Sequence, residues 1–535
     1  MDWPLLALTS LILFHLSINI IWAVQDLAPP WWDQAGYYWG NLRLWRTLEN
    51  DGIFKFLGAV LEFKDRSPLF NIVAVPFFAI LEESETAGML VVWGAFALLL
   101  IMVYKIAALY GGGKTGVLAA LLTSCMPLLY GLSRQFLAEV PLAAVAAGAA
   151  YQGICSAGFQ KRKPTVRCGC LLGLGLLLKV TFIVYGVAIL VGVLAQRLRA
   201  QELAELWSKT SRRDLLWGVG PALGLAAPWY VLNYKVALFF IVEGGYGRIV
   251  KLYGSQSLWE YYLTLINYGM SAYIFLTGVL AFVLSLFLRR TNERFPPVVL
   301  AWFLLPLVVF STSASPETRY LAPALPAVAV LISVWIASLC GAQQLRWSLM
   351  GLYAVLPLYT VVQCSLSSAI STWQAGSLVF GDRDNHFLYA PVKADWKNGE
   401  IVHTLRTLVK NPQQPVRVAL VGDEKYFEPN WLRFLALQQR TGLFFEGIPW
   451  MGPDFSLETF VRFILDCDFI VTKSEDSERD RVHVNHINRY NNEIREMLKD
   501  GRLPYVQMSD HTVLPDGSRV LIYQKAPKAP GLARD

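Results

Sequence analysis

Six charged side chains stand beside or within long apolar runs of this sequence: Asp33, Lys64, Arg66, Glu139, Lys179 and Arg319. Charge at membrane depth is costly, so each is a functional candidate by default. The carboxylates Asp33 and Glu139 suit proton abstraction from a hydroxyl. The four cations suit a phosphate on which negative charge grows as it departs. Each residue also has a plainer reading. Asp33 follows Pro29-Pro30-Trp31-Trp32, where two prolines force an extended turn and the aromatics suit a membrane interface. It begins an amphipathic helix that it could simply cap. Lys64, Asp65 and Arg66 precede Ser67-Pro68-Leu69. They could hold a lipid phosphate through charge-assisted hydrogen bonds, or only anchor headgroups. Glu139, before Val140-Pro141, could serve a helix dipole, and Lys179, in Leu177-Leu178-Lys179-Val180-Thr181, could snorkel to the interface. Arg319 lies in Pro316-Glu317-Thr318-Arg319-Tyr320-Leu321-Ala322-Pro323. The functional reading is favoured because all six are expected on one side of a membrane.

That convergence depends on the elements that carry them. The chain has 535 residues, of which 55% are hydrophobic, 13% aromatic and 16% charged. A typical globular chain is about 25% charged. The aromatic content excludes long disorder, and the lack of triplet glycine and of Glu/Lys richness excludes collagen-like and coiled-coil chains. A polytopic membrane protein with some soluble mass remains. The net charge of +7 is therefore a matter of topology, not of nucleic-acid binding. Cys168 and Cys170 are too close together and too isolated for a zinc site, and Cys467 is alone in the C-terminal region.

Apolar runs long enough to span occur at 4–24, 86–109, 115–131, 139–158, 215–234, 267–288, 296–313, 320–340 and 346–367. The run 168–195 is too long for one ordinary span and holds Lys179 near its middle, so two short helices are expected to meet there. The run 67–82 carries Pro68 and Pro76 and is expected to lie at the interface. Basic clusters stand at Lys161, Arg162, Lys163 and Arg167, at Arg197, Arg199, Lys209, Arg212 and Arg213, at Arg289, Arg290 and Arg294, and at Arg346. All face the cytoplasm together only if 168–195 crosses twice and 67–82 does not cross. About eleven helices then cross, with the N-terminus inside and the C-terminus outside. The first segment lacks a basic region ahead of it, so an uncleaved anchor is expected rather than a signal peptide. The domain expectation is a transmembrane part over 1–367, including a first external loop at 25–85, and an external soluble part over 368–535.

From about Gly381 the composition turns soluble. Val416–Gly422, Asp468–Lys473 and Ser518–Lys525 read as strands. Helical patterns lie at 397–409, 427–439, 456–465 and 480–499, which predicts a small parallel α/β layer. No GxGxxG follows the first strand, so a structural or acceptor-contacting lid is favoured over a nucleotide site. Gly111-Gly112-Gly113-Lys114-Thr115 resembles the tail of a phosphate-binding loop. Ala108 stands where the pattern needs glycine, and no strand precedes it, so a cytoplasmic turn is expected.

The order of these motifs resembles the GT-C membrane glycosyltransferases that use polyprenyl-phosphate sugars, notably the bacterial protein-mannosyltransferase-like group with its aminoarabinose transferases. The resemblance covers roughly 1–340. It rests on Asp33 after the first span, Arg66 with Pro68-Leu69, Glu139-Val140-Pro141, Leu178-Lys179, Pro228-Trp229-Tyr230 and Arg319-Tyr320-Leu321 before a proline. It implies that Asp33 is the general base on the acceptor, that Glu139 positions the sugar or assists Asp33, and that Lys64, Arg66, Lys179 and Arg319 hold the lipid phosphate. The family's first-loop acid is often followed by Glu, and here Gln34 follows. Relatives that bind a divalent metal use an acid beside the loop lysine and a later histidine. Asp65 matches the acid, but no histidine occurs between His15 and His386, so no metal and no certain cofactor is expected.

The sequence thus predicts a multi-pass plasma (inner) membrane enzyme that moves one sugar, hexose or pentose, from a polyprenyl-phosphate donor to an acceptor hydroxyl on the outer face, with inversion. Lipid, polysaccharide and protein acceptors all fit this reading. The alternative is a lipid or polysaccharide flippase with an external domain, although the paired internal repeats common in transporters are missing. A non-enzymatic scaffold gives no reason for the charged residues to meet.

Overall fold

In the computed structural model the described residues are 3–200, 209–242, 257–288, 297–313, 316–339, 343–366, 373–380, 387–409, 411, 414–447, 456–476 and 488–527. The expected basic cluster Arg289, Arg290 and Arg294 lies outside them, as do His386 and the first part of the helix expected at 480–499. The chain forms two compact units. One comprises Met1–Asp26, Thr47–Val250 and Gly254–Pro391; the other comprises Leu27–Arg46, Lys251–Tyr253 and Val392–Asp535.

The first unit is helical. Among the described residues five helices are long and apolar enough to cross a membrane: Trp3–Gln25, Glu85–Ser124, Phe182–Arg199, Arg213–Leu232 and Thr318–Ser338. A bent pair, Leu258–Met270 with Ala272–Leu288, would make a sixth. Helices Glu139–Cys155 and Arg162–Leu178 have 17 residues each, short of the roughly 20 that a span needs. Short helices of this kind make up much of the difference from a count of about eleven read from apolar runs.

Small residues set the packing. Glu139–Cys155 is rich in buried alanine, including Ala143, Ala146, Ala147 and Ala150. It packs against Glu85–Ser124, Arg162–Leu178 and the 3₁₀ turn Thr318–Ala324. Small side chains let helix backbones approach closely where lipid offers no hydrophobic driving force. At Gly169 a Cβ would come within 2.0 Å of the Gly218 carbonyl oxygen. Any side chain there would push Arg162–Leu178 off Lys209–Leu232.

Three breaks shape this unit. Gly112 has φ 77° and ψ −177° inside Glu85–Ser124, so two helices join there, at the turn expected over 111–115. Lys179 is extended, with φ −158° and ψ 137°, between Arg162–Leu178 and Phe182–Ala200. The two-helix reading of 168–195 is correct, although the first helix starts at Arg162. The third break corrects the expected straight span over 267–288. A π-turn at Leu265–Met270 ends at Ser271, whose φ is 78°, and the helices on either side differ by 97°. A π-turn leaves one carbonyl per turn out of α-register and is a recognised cause of kinks. Asn267 fixes the bend by donating to the Ser377 carbonyl at 3.0 Å and accepting from the Val379 amide at 3.1 Å. Those residues belong to the hairpin of β1 (Trp373–Ala375) and β2 (Leu378–Phe380).

The second unit is built on a five-stranded sheet. Its strands are β3 (Val416–Val421), β4 (Leu443–Glu446), β5 (Phe469–Lys473), β6 (Tyr505–Ser509) and β7 (Val520–Lys525), in the order β4-β3-β5-β7-β6. β3 is parallel to β4 and β5, whereas β7 is antiparallel to β5 and β6. The expected all-parallel layer is therefore corrected to a mixed sheet, because a closing antiparallel ribbon covers one side of the parallel core. Alternation along β3 feeds two cores. Val418 and Leu420 meet Ile401, Leu405 and Leu432, while Ala419 and Val421 meet Phe460 and Ile494. Helices thus cover both faces, the arrangement parallel strands require.

Glu428 caps the helix Pro429–Gln438, accepting from the Asn430 amide at 2.8 Å and the Trp431 amide at 2.5 Å. Burial, and then the nearby Asp423 carboxylate, push its carboxyl up to about 8. A folded value above the unfolded 4.5 means that the folded state binds the extra proton between those two values. Stability of this unit should therefore fall as pH rises from about 4.5 to about 8. Protease sensitivity of the full chain in detergent across that range checks this, and Glu428→Gln should flatten the dependence.

Candidate active site

Glu139 is the first residue of the helix Glu139–Cys155 and is 2% exposed. Its Oε1 accepts from Lys179 Nζ at 2.5 Å and lies 3.5 Å from Arg319 Nε. Arg319 Nε also lies 3.0 Å from Glu317 Oε1, and its terminal nitrogen donates to Glu317 Oε2 at 3.2 Å. Residues 139, 179 and 319, far apart in sequence, thus form one ion cluster. Each arrives by a different local device: a helix start, an extended break and a 3₁₀ turn. Opposite charges are attracted strongly where water is scarce.

Aromatic rings line the cluster. Lys179 Nζ lies 5.3 Å from the Tyr320 ring centre, and the Arg319 guanidinium lies 5.6 Å from Tyr320 and 5.7 Å from Phe387. The Tyr185 hydroxyl donates to the Tyr320 carbonyl. Gln135 donates to the Phe387 carbonyl at 3.2 Å, and Gly131 leaves room for that same carbonyl. Sequence reading missed Tyr185 and Phe387, since nothing local marks a residue whose partner lies 135 or 252 positions away.

Arg134, in the turn before Glu139, is buried. It donates to Asn19 Oδ1 at 3.2 Å and to the Ser365 hydroxyl, and lies over Trp22 and Tyr130. It ties the first helix to the turn that leads into Glu139.

Lys64 and Asp65 are exposed and Arg66 is half-buried. Two contacts bring their loop toward the same helix ends. Trp229 Nε1 donates to the Phe63 carbonyl at 3.1 Å, and the next residue, Tyr230, donates to the Leu176 carbonyl at 3.0 Å, three residues before Lys179. Phe70 packs on Phe136 with ring centres 4.7 Å apart. The Pro228-Trp229-Tyr230 motif is therefore a clamp between the loop at 63–66 and the broken helix. Among the described residues no three His, Cys, Asp or Glu side chains gather as an ion site.

Lys161, Arg162, Lys163 and Arg167 are exposed around the start of the helix that ends at Lys179. A 17-residue helix is about 25 Å long, so most of this basic cluster stands nearly a helix length from the Glu139 cluster.

Asp33 belongs to the second unit, where it opens the helix Asp33–Asp51 and is half-buried. The aromatics around it correct the expectation of membrane anchors. Trp31 and Tyr38 are 7% and 1% exposed. Trp31 packs on Tyr426, and Tyr38 on Trp431 and Phe434. The unit that holds 392–535 also takes in Leu27–Arg46, part of the expected first external loop.

Residues 65–212 match the model of the dolichyl-phosphate-mannose-protein mannosyltransferase family. That stretch contains Arg66, Glu139 and Lys179 and excludes Asp33 and Arg319. No curated protein sequence matches the chain. Among solved structures, the chain is similar to ArnT from Cupriavidus metallidurans bound to undecaprenyl phosphate, with a TM-score of 0.60 at 15% identity, covering 96% of this chain and 98% of that one. It is also similar to the archaeal oligosaccharyltransferase AglB from Archaeoglobus fulgidus in complex with an inhibitory peptide and a dolichol-phosphate. There the TM-score is 0.56 at 13% identity, covering 97% of this chain and 74% of that one. With its apolar helices and its α/β unit, the chain is an integral membrane protein of the GT-C fold, the architecture of membrane glycosyltransferases, and over 65–212 it carries the protein-mannosyltransferase sequence pattern.

Proposed function

We propose that the chain is a membrane glycosyltransferase that moves one sugar from a polyprenyl-phosphate donor to an acceptor hydroxyl on the extracytoplasmic face. The observation that carries this reading is the Lys179–Glu139–Arg319 cluster in a fold whose solved examples include one with undecaprenyl phosphate bound. Glu139 holds the two cations in place, and an ammonium beside a guanidinium suits phosphate oxygens through charge-assisted hydrogen bonds. Lys64 and Arg66 extend the same positive region. Asp33 takes the acceptor proton. The acceptor oxygen then bonds to the anomeric carbon from the face opposite the phosphate. The carbon–oxygen bond to phosphate breaks with its electron pair, and the lipid phosphate leaves against the cations. The N-terminus faces the cytoplasm of the inner membrane, with basic residues on that side.

The test is transfer by the purified full-length protein in lipid discs, using labelled polyprenyl-phosphate sugars and an envelope extract as acceptor. Retention of label on the lipid, or its movement across the bilayer without transfer, would favour the flippase reading instead. Within the enzyme reading, Arg319→Ala should raise the donor KM on the order of tenfold to a hundredfold, the worth of a charged hydrogen bond. Titration with the lipid donor measures it, and an unchanged KM would remove Arg319 from the phosphate site.

A further inference from the structure

Open α/β sheets commonly hold a ligand outside the carboxyl ends of their parallel strands, at the point where strand order reverses. In this sheet that point lies between β3 and β5, since the chain leaves β3 for β4 on one side and returns to β5 on the other. What packs there is the protein's own Trp31-Trp32 segment. Gly422, with φ 132°, ends β3 and turns the chain into Asp423. The Asn488 side chain fixes that turn, accepting from the Asp423 amide and donating to its carbonyl, both at 2.9 Å. Asp423 Oδ1 then accepts from Trp32 Nε1 at 3.1 Å. Lys425 Nζ lies 4.4 Å from the centre of the Trp31 ring, and the Leu27 amide donates to the Val392 carbonyl at 2.7 Å.

Trp32 itself has φ 44°. A bulky side chain in the left-handed region is strained, and such strain persists only where the surroundings over-determine it. The strained residue is the one immediately before Asp33. We propose that the α/β unit is a positioning module for the base, with Asp423 and Trp32 as the positioning pair. The inference rests on the assignment of Asp33 as base. It explains why a sheet of nucleotide-binding shape lacks the nucleotide motif: its crevice grips a piece of the same chain.

The experiment uses the full-length protein in lipid discs, read by hydrogen exchange over 27–46 and by transfer kinetics. Asp423→Ala should speed exchange in 27–46 and lower kcat roughly tenfold to a hundredfold, the cost of a misplaced reacting group, with the donor KM unchanged. Asp423→Asn keeps an oxygen acceptor for the indole and should restore both readouts. Trp32→Phe tests the pair from its other side without altering the sheet. Unchanged exchange in both Asp423→Ala and Trp32→Phe overturns the proposal, as does faster exchange with unchanged kcat. Separately, normal turnover by Asp33→Asn would remove the base assignment while leaving the exchange result standing.

Discussion

A chain carrying Asp33→Asn is expected to insert, fold and bind the lipid donor normally, yet to transfer sugar about 10²–10⁴-fold more slowly, the usual contribution of a positioned base. The substitution separates the two readings that the sequence left open. Asparagine equals aspartate as a helix cap, and Asp33 stands in the first turn of its helix, so an Asp33 that only supports the helix start would tolerate the change. The dipole term favouring a carboxylate in the first turn is about 0.3–1 kcal/mol, too small to imitate such a loss. Asparagine cannot take the hydroxyl proton. Single-turnover transfer at saturating donor gives the rate, and hydrogen exchange over 27–46 shows whether the helix still forms. Normal turnover would remove Asp33 from the chemistry. Under the same reading, Asp33→Asn should spare donor binding while Arg319→Ala impairs it.

Much of the site was legible because charge is conspicuous in apolar sequence. Lys179 divides a long apolar run, and the structure breaks the helix there. Gly112 behaves likewise. Glu139, Lys179 and Arg319 were each readable as candidates, and positive-inside counting suggested a common side. The contact among them was not readable, because it depends on three turns distant in sequence. The bend at Ser271 escaped because a π-turn has no composition of its own. β4 and β6 escaped for different reasons: β4 has only four residues, and β6 carries three consecutive exposed ones, which blurs alternation. The largest misreading concerned Trp31 and Trp32. Aromatics after a first span suit a membrane interface, and only tertiary structure shows that their partners are Tyr426 and Asp423.

Glu139→Gln is the second substitution with a large expected effect. It preserves shape and removes the charge that Lys179 and Arg319 share. Breaking a buried ion pair by removing one partner costs about 3–5 kcal/mol, because the other charge is left uncompensated. Lys179 and Arg319 are 21% and 14% exposed, so solvent relieves part of this and about 3 kcal/mol, the low end of that range, is expected. A paired substitution distinguishes charge from packing. In the Glu139→Gln background, Lys179→Met removes an orphaned cation and should recover part of the lost stability, a coupling that a double-mutant cycle measures. Transfer should not recover, because a proposed phosphate ligand has gone as well. Thermal unfolding of the four proteins in one detergent, alongside transfer rates, completes the test. Additive losses would mean that the Lys179–Glu139 contact does not stabilise the fold, and activity that merely tracks the folded fraction would confine Glu139 to architecture.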